Sequence, residues 1–173
     1  MSEVPICFKI DVDTHDGMRD GVPRLLDALA TFGMPGTFFL SFGPDNSGKA
    51  IWNVLRQPGF LSKMLRTDAV GLYGWRTILS GTLLPARPIA TKFPELVRRI
   101  TKAGHEVAVH AWDHRRWQDH LEGMGRGEIE DHFRRSFEAY AAIVGERPRA
   151  VAAPAWMATP TSLEVQDGLE LDY

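Results

Sequence analysis

The chain has 173 residues, 44% of them hydrophobic and 24% charged, with a formal net charge of −2. That composition argues against disorder and gives length enough for one domain around a single core. The near-neutral charge, with no basic repeat interleaved with aromatics, points away from nucleic acid as a partner.

Cys7 is the lone cysteine. A disulfide framework is therefore excluded and a reducing cytoplasm is the natural compartment; Cys7 itself reads as a small buried hydrophobe. The start, Met1-Ser2-Glu3-Val4-Pro5, has neither the basic head nor the apolar core of a signal peptide. No apolar run approaches the roughly 20 residues that a spanning helix needs.

In chain order, Val4 to Val12 reads as a strand with Ile6, Phe8, Ile10 and Val12 on one side, ending in Asp11-Val12-Asp13. A helix opens at Gly21-Val22-Pro23, with Leu25, Leu26, Leu29 and Phe32 as its buried face, and stops at Gly33. Thr37 to Phe42 is a second buried strand, closed by Gly43-Pro44-Asp45-Asn46. From about residue 47 to 92 the alternation breaks into an amphipathic basic insert. Lys49, Arg56, Lys63, Arg66, Arg76, Arg87 and Lys92 stand there against Asp68 alone, with Trp52, Tyr73 and Trp75 among them and a helical stretch at Phe60–Arg66.

Pro94 to Ala103 is a helix with Leu96, Val97 and Ile100 inward, capped by Gly104, and Glu106 to Ala111 is the strand after it. Ile129, Phe133, Phe137, Tyr140 and Val144 recur at helical spacing up to Gly145. Ala150 to Ala153 forms a small-residue strand ending at Pro154-Ala155-Trp156. A short Thr-capped helix is expected over Thr161–Asp167, and Leu169–Tyr173 reads as a strand just starting. This order predicts an α/β fold with a largely parallel sheet, residues 1–173 forming a single domain.

Strand ends collect on one side of a parallel sheet, so Asp11, Asp13, His110, His114 and the Ala153–Trp156 turn should converge. Asp11 and Asp13 point to the same side of an extended strand. Two like charges that close do not both stay ionised in a dry site without a cation. A metal held by Asp13, His110 and His114 answers this and leaves Asp11 as a general base. Two imidazoles and a carboxylate with open positions form a catalytic geometry.

Ile10-Asp11-Val12-Asp13-Thr14, together with Gly104-His105-Glu106 and His110-Ala111-Trp112-Asp113-His114, resembles the polysaccharide deacetylase (NodB-homology) family of metal-dependent carbohydrate esterases. Gly21–Leu26, Phe42–Asn46, Met64-Leu65-Arg66 and Leu72–Trp75 extend the likeness to members that deformylate a sugar carried on a polyprenyl phosphate. The resemblance implies a distorted (β/α)7 barrel. It implies Asp11 as catalytic base and Asp13, His110 and His114 as ligands of a divalent metal, zinc first, with cobalt, nickel, manganese or iron also suited to these donors. The reaction implied is hydrolysis of an N-formyl group, Asp11 taking a proton while the metal and a backbone N–H near Trp156 stabilise the oxyanion.

The resemblance further implies a polyprenyl-phosphate-linked 4-deoxy-4-formamido-L-arabinose as substrate, within the lipid A modification that confers polymyxin resistance. It implies a peripheral seat on the cytoplasmic face of the bacterial inner membrane, the basic insert making the contact. Alternatives are another N-deacetylase of the same family and a non-catalytic metal- or membrane-binding remnant. In the family an arginine beside the aromatic of the Ala153–Trp156 turn braces the base, whereas Met157 follows Trp156 here. Family members also run on through further elements bearing a late histidine as general acid, so the barrel is expected to be incomplete at Tyr173.

Trp112 reads either as core packing or, with Ala155 and Trp156, as substrate-binding wall; Trp117 has the same two readings. His15 with Asp16 reads as a turn, His105 as a structural histidine, and His120 and His132 as solvent-facing.

Overall fold

The computed structural model describes residues 6, 8–49, 76 and 79–173. The expectations for Val4, Cys7, Trp52, Phe60–Arg66, Tyr73 and Trp75 lie outside these. The described residues form an α/β structure whose sheet runs β1 (Lys9–Val12), β2 (Thr37–Ser41), β3 (Glu106–Ala111), in that spatial order and all parallel. Helix α1 (Val22–Phe32) connects β1 to β2, and α2 (Pro94–Lys102) leads into β3. After β3 come α3 (His114–His120), α4 (Arg126–Val144) and α5 (Pro160–Asp167).

The two-residue period of the strands sorts the sheet into two faces. Val12, Phe38, Leu40, Val107 and Val109 pack outward in one core with Leu26 and Leu29 of α1, Val97 and Ile100 of α2, and Tyr140 of α4. Each such side chain contributes about 1.5–3 kcal/mol relative to exposure, so this helix-covered face carries most of the stability. The opposite face holds a small cluster of Phe39, Ala108 and Ala150, with Ala152 beside it. Lys9, Asp11, Ser41 and His110 alternate onto that same face. The alanines there leave room for polar side chains.

A short rung extends the sheet beyond β3. Val109 bridges Val151 in parallel, Val109 N–H donating to Ala150 O (3.1 Å) and Ala152 N–H to Val109 O (3.0 Å). The strand expected at Ala150–Ala153 is thus a single bridge. The one expected at Leu169–Tyr173 is irregular backbone, tied beside it by Asp172 N–H to Arg149 O (2.7 Å) and Val151 N–H to Tyr173 O (3.3 Å).

Other expectations are corrected. Among the described residues β1 begins at Lys9 and pairs only with β2, and Ile6 and Phe8, expected within the strand, lie outside it and are exposed. On α1 the buried residues are Val22, Leu26 and Leu29, whereas Leu25 is 40% and Phe32 74% exposed. Positions 22, 26 and 29 share one helical stripe, and 25 and 32 fall to its side. The cap of α5 is Thr159, whose hydroxyl accepts from Ser162 N–H (3.2 Å), because Pro160 takes the first helical position. Helix α3 follows directly on β3 where none was expected. Gly33 ends α1 as anticipated, at φ +61.

His132 is buried, 5% exposed, rather than solvent-facing. It lies on the inward stripe of α4 with Ile129, Phe133, Ser136 and Tyr140. Trp117 is core: it packs against His132 and Phe133, and its indole N–H donates to Met157 O (3.1 Å).

Candidate metal centre

Asp13, His110 and His114 come together at the carboxyl ends of β1 and β3. One ligand atom from each lies within 4.8 Å of the others. Asp13 Oδ1 is 3.2 Å from His110 Nε2, and Asp13 Oδ2 is 3.7 Å from His114 Nε2. The two imidazole centres are 5.2 Å apart.

Each of the two histidines is held by a local device. His110 Nδ1 lies 2.7 Å from Ala152 O. A carbonyl only accepts, so Nδ1 carries the hydrogen and Nε2 presents its lone pair to the cluster. Burial depresses the His110 pKa, against the pull of Asp13 and Asp11, which favours the neutral ring a metal requires.

His114 is the first residue of α3, whose start is fixed by Asp113: its Oδ1 accepts from Arg116 N–H (3.0 Å). The other Asp113 oxygen accepts from Asn46 Nδ2 (2.6 Å). Asn46 in turn belongs to a tightly tied turn in which Asp45 accepts from the N–H groups of His15 (2.9 Å) and Ser47 (3.1 Å).

The donor set fits a divalent cation. Asp13 Oδ1 is buried and finds no hydrogen-bond partner among the described residues, although a bare imidazole lone pair faces it. Two acceptors opposed at 3.2 Å repel unless a positive charge lies between them. Zinc and other borderline divalent metals take this combination of nitrogen and carboxylate oxygen.

Asp11 lies on the same face, close enough to raise the His110 pKa, and its carboxylate is ion-paired with Lys9. Trp112 is half-buried: its ring lies over Gly43, where an added Cβ would come within 2.8 Å of the indole, and Arg135 sits 4.3 Å from its centre. Its backbone N–H donates to His132 Nε2 (3.0 Å). Ala155 and Trp156 form a 3-10 turn at the end of the Val151 rung, both with left-handed backbone (φ +53 and +58) and both exposed. Trp156 N–H is given to Ala153 O (3.1 Å) and Met157 N–H to Pro154 O (3.0 Å), so these two donors of the turn are already engaged.

His15 and Asp16 stay outside the cluster: His15 Nδ1 meets Pro88 O (2.6 Å), and Asp16 pairs with Arg87 through both oxygens (2.9 and 3.0 Å). His105 packs against Phe38 at the opposite end of β3, and His120 is exposed. Sequence reasoning missed Asn46, Ser41 and His132. Gly43-Pro44-Asp45-Asn46 is a turn signal in sequence, and nothing local marks Asn46 as the brace of Asp113. Ser41 Oγ is fully buried on the inner face with no partner among the described residues; its place just after the β2–β3 irregularity at Leu40/Ser41 exists only once the strands pair.

The parallel sheet thus brings a histidine pair and two carboxylates to one end. The polysaccharide deacetylase family model matches residues 12–173, and the chain belongs to that family. Among curated proteins it is 38% identical over 166 residues to "Probable 4-deoxy-4-formamido-L-arabinose-phosphoundecaprenol deformylase ArnD" of Shewanella sediminis, covering 96% of this chain and 54% of that protein. The protein of the same description from Wigglesworthia glossinidia brevipalpis is 31% identical over 140 residues, 81% of this chain and 48% of its own length. The chain thus spans about half the length of these relatives.

Among solved structures, a family 4 carbohydrate esterase from Streptomyces lividans in complex with acetate aligns at TM-score 0.57 and 19% identity, over 95% of this chain and 57% of that one. A pseudoenzyme of the same esterase family from Bacillus anthracis aligns at TM-score 0.55 and 16% identity, over 96% and 41%. These likenesses establish the fold, of which the described residues hold only part of the barrel.

Proposed function

We propose that Asp13, His110 and His114 hold a divalent metal, zinc by preference, and that the protein is a hydrolase removing the N-formyl group from a formamido-arabinose carried on a polyprenyl phosphate. The observation that carries this reading is the buried, unpartnered Asp13 oxygen facing the Nε2 of His110. The substrate class comes from the two deformylases to which the chain is similar.

Asp13, His110 and His114 would hold the metal, which would supply positive charge to water and to the amide oxygen. Asp11, beside the donors and not among them, accepts the proton that water loses as it attacks. The Ala152 carbonyl keeps His110 in one tautomer with Nε2 toward the site, and Asp113 fixes the start of the helix that begins with His114, so both rings are set to be taken up as ligands. With Trp156 N–H and Met157 N–H engaged inside the turn, an oxyanion donor from this segment falls to Ala155 N–H. Trp156 flanks the approach as a sugar-facing wall, whereas Trp112 packs with the helix-covered core beside Gly43 and Arg135.

A lipid-linked substrate calls for contact with an anionic leaflet, which the basic insert between Lys49 and Lys92 would make; among the described residues no helix is long and apolar enough to cross a membrane. Lipid A modification at the cytoplasmic face of the inner membrane is the setting that such a substrate implies.

The test is product release from two substrates. Metal-loaded protein, both this chain and the chain extended to the length of its relatives, is incubated with formamido-arabinose phosphoprenol and with an N-acetylated glycan. Formate without acetate is expected. Acetate without formate overturns the substrate, and neither product from either protein overturns the hydrolase reading in favour of a non-catalytic binder.

A further inference from the structure

Lys9 is a cation on the chemically active face of β1, and none of the roles above uses it. Its ammonium group donates to both carboxylate oxygens of Asp11, two residues along the same strand. It also lies 5.0 Å from the centre of the Phe39 ring and 4.9 Å from that of Trp156. We propose that Lys9 is the positioning residue of the general base, fixing the Asp11 carboxylate, and that the Trp156 indole fixes Lys9.

The proposal rests on the reading of Asp11 as base. A proton acceptor at a strand end has to offer one oxygen within a few tenths of an ångström of its working place. Asp11 alone does not ensure that, because its side chain remains 34% exposed and free to turn. A cation at both oxygens removes the freedom, provided the cation is itself confined. Lysine has a long flexible stem and is a poor anchor unless enclosed.

Here the enclosure is visible. Phe39 is buried on the neighbouring strand, in register with Asp11, and presents one aromatic face. Trp156 presents another from the Pro154–Trp156 turn. Aromatic faces attract an ammonium ion while offering it no competing acceptor.

The turn itself points the same way. Ala155 and Trp156 both adopt left-handed backbone, a conformation that is unfavourable for residues with side chains and is kept only where surrounding structure holds it. The indole so placed is 83% exposed, so burial does not account for its position. The Lys9 ammonium is what its ring meets. The turn after one rung of the sheet therefore reaches across the inner face and clamps a side chain on the first strand. This leaves Met157, the residue after the indole, free of any task toward Asp11.

Three variants and one spectrum test it. Lys9→Met keeps the stem and removes the charge, whereas Lys9→Arg keeps the charge and both donor directions. In the formate assay Lys9→Met is expected to lower kcat about tenfold to a hundredfold, the range for supporting residues around a metal site, with KM and metal affinity at wild-type values. Lys9→Arg should recover most of the loss. Wild-type kcat in Lys9→Met, or equal damage in Lys9→Arg, overturns the proposal, as does loss of metal by Lys9→Met.

The spectrum needs no substrate. In protein labelled with 15N-lysine, the Lys9 ammonium signal should persist in the wild type through slowed exchange with water, and vanish in both Asp11→Asn and Trp156→Ala. Its survival in either overturns the proposal. Should wild-type protein release no formate, the functional reading fails on its own, and the ammonium signal still decides whether Lys9 is held between Asp11 and Trp156.

Discussion

The imidazole of His132 makes stability depend on pH in a way that can be worked from its surroundings. The ring is buried between Trp117 (5.1 Å between centres) and Phe133 (6.3 Å), and its Nε2 accepts the Trp112 N–H. Burial lowers its pKa from 6.5 to about 4, with Asp113 opposing and Arg116 and Arg135 adding to the shift. The folded state thus holds the ring neutral where the unfolded chain protonates it.

Between pH 6.5 and about 4 the unfolded state binds the extra proton, so stability is complete above 6.5 and is lost as pH falls through that window. At about 1.36 kcal/mol per pKa unit, roughly 2–3 kcal/mol disappears by pH 4.5. His132→Gln carries an amide oxygen able to accept the same N–H and has no proton to gain. Urea unfolding of both proteins at pH 7 and pH 4.5, followed by circular dichroism, gives the difference. The wild type is expected to lose about 2–3 kcal/mol more than His132→Gln. His110, also depressed by burial, acts equally in both and cancels. Equal losses in the two proteins would refute the reasoning.

Other outcomes follow from the same contacts. Gly43→Ala puts a Cβ 2.3 Å from Trp112 O and 2.8 Å from its ring; thermal unfolding should show a loss of about 1–3 kcal/mol, the usual cost of overpacking. Asn46→Ala leaves a buried Asp113 oxygen without its donor. Competition against a chelating dye should then show metal affinity lowered about tenfold to a hundredfold, because Asp113 sets the helix that begins with His114. Reversing the charge of Lys63 and Arg66 together should weaken binding to anionic vesicles by about 2 kcal/mol or more, at roughly 1 kcal/mol lost per removed cation; unchanged partition sinks the membrane contact.

Strands β2 and β3 and the convergence of Asp13, His110 and His114 were legible because they rest on short patterns. Val107 and Val109 alternate with Ala108 and His110, so one reading of the sequence yields both the packed face and the reactive one. Asp13 and the histidine pair stand out because strand ends of a parallel sheet must meet. The supporting residues were not legible, since their roles arise between distant segments: Asn46 to Asp113, His132 to Trp112, Ala152 to His110. His132 in particular looks like any polar residue on a helix until α4 is rotated onto β3, when it proves to share a stripe with Ile129 and Phe133. Leu25 and Phe32 misled in the opposite sense. Hydrophobicity marked them as core, and the stripe through Val22, Leu26 and Leu29 leaves them outside.

The bond from His110 Nδ1 to Ala152 O joins a proposed metal ligand to a stretch attached to the sheet by a single bridge at Val151. Orientation of the imidazole and docking of that stretch are therefore coupled. Whatever favours the oriented ring must favour the docked segment by the same free energy, and the reverse holds as well. Loading the site should slow hydrogen exchange at the Val109 and Ala152 amides, which donate across the bridge, while helix α1 exchanges as before. The weakest rung of the sheet would then report, amide by amide, on an ion bound at its far side.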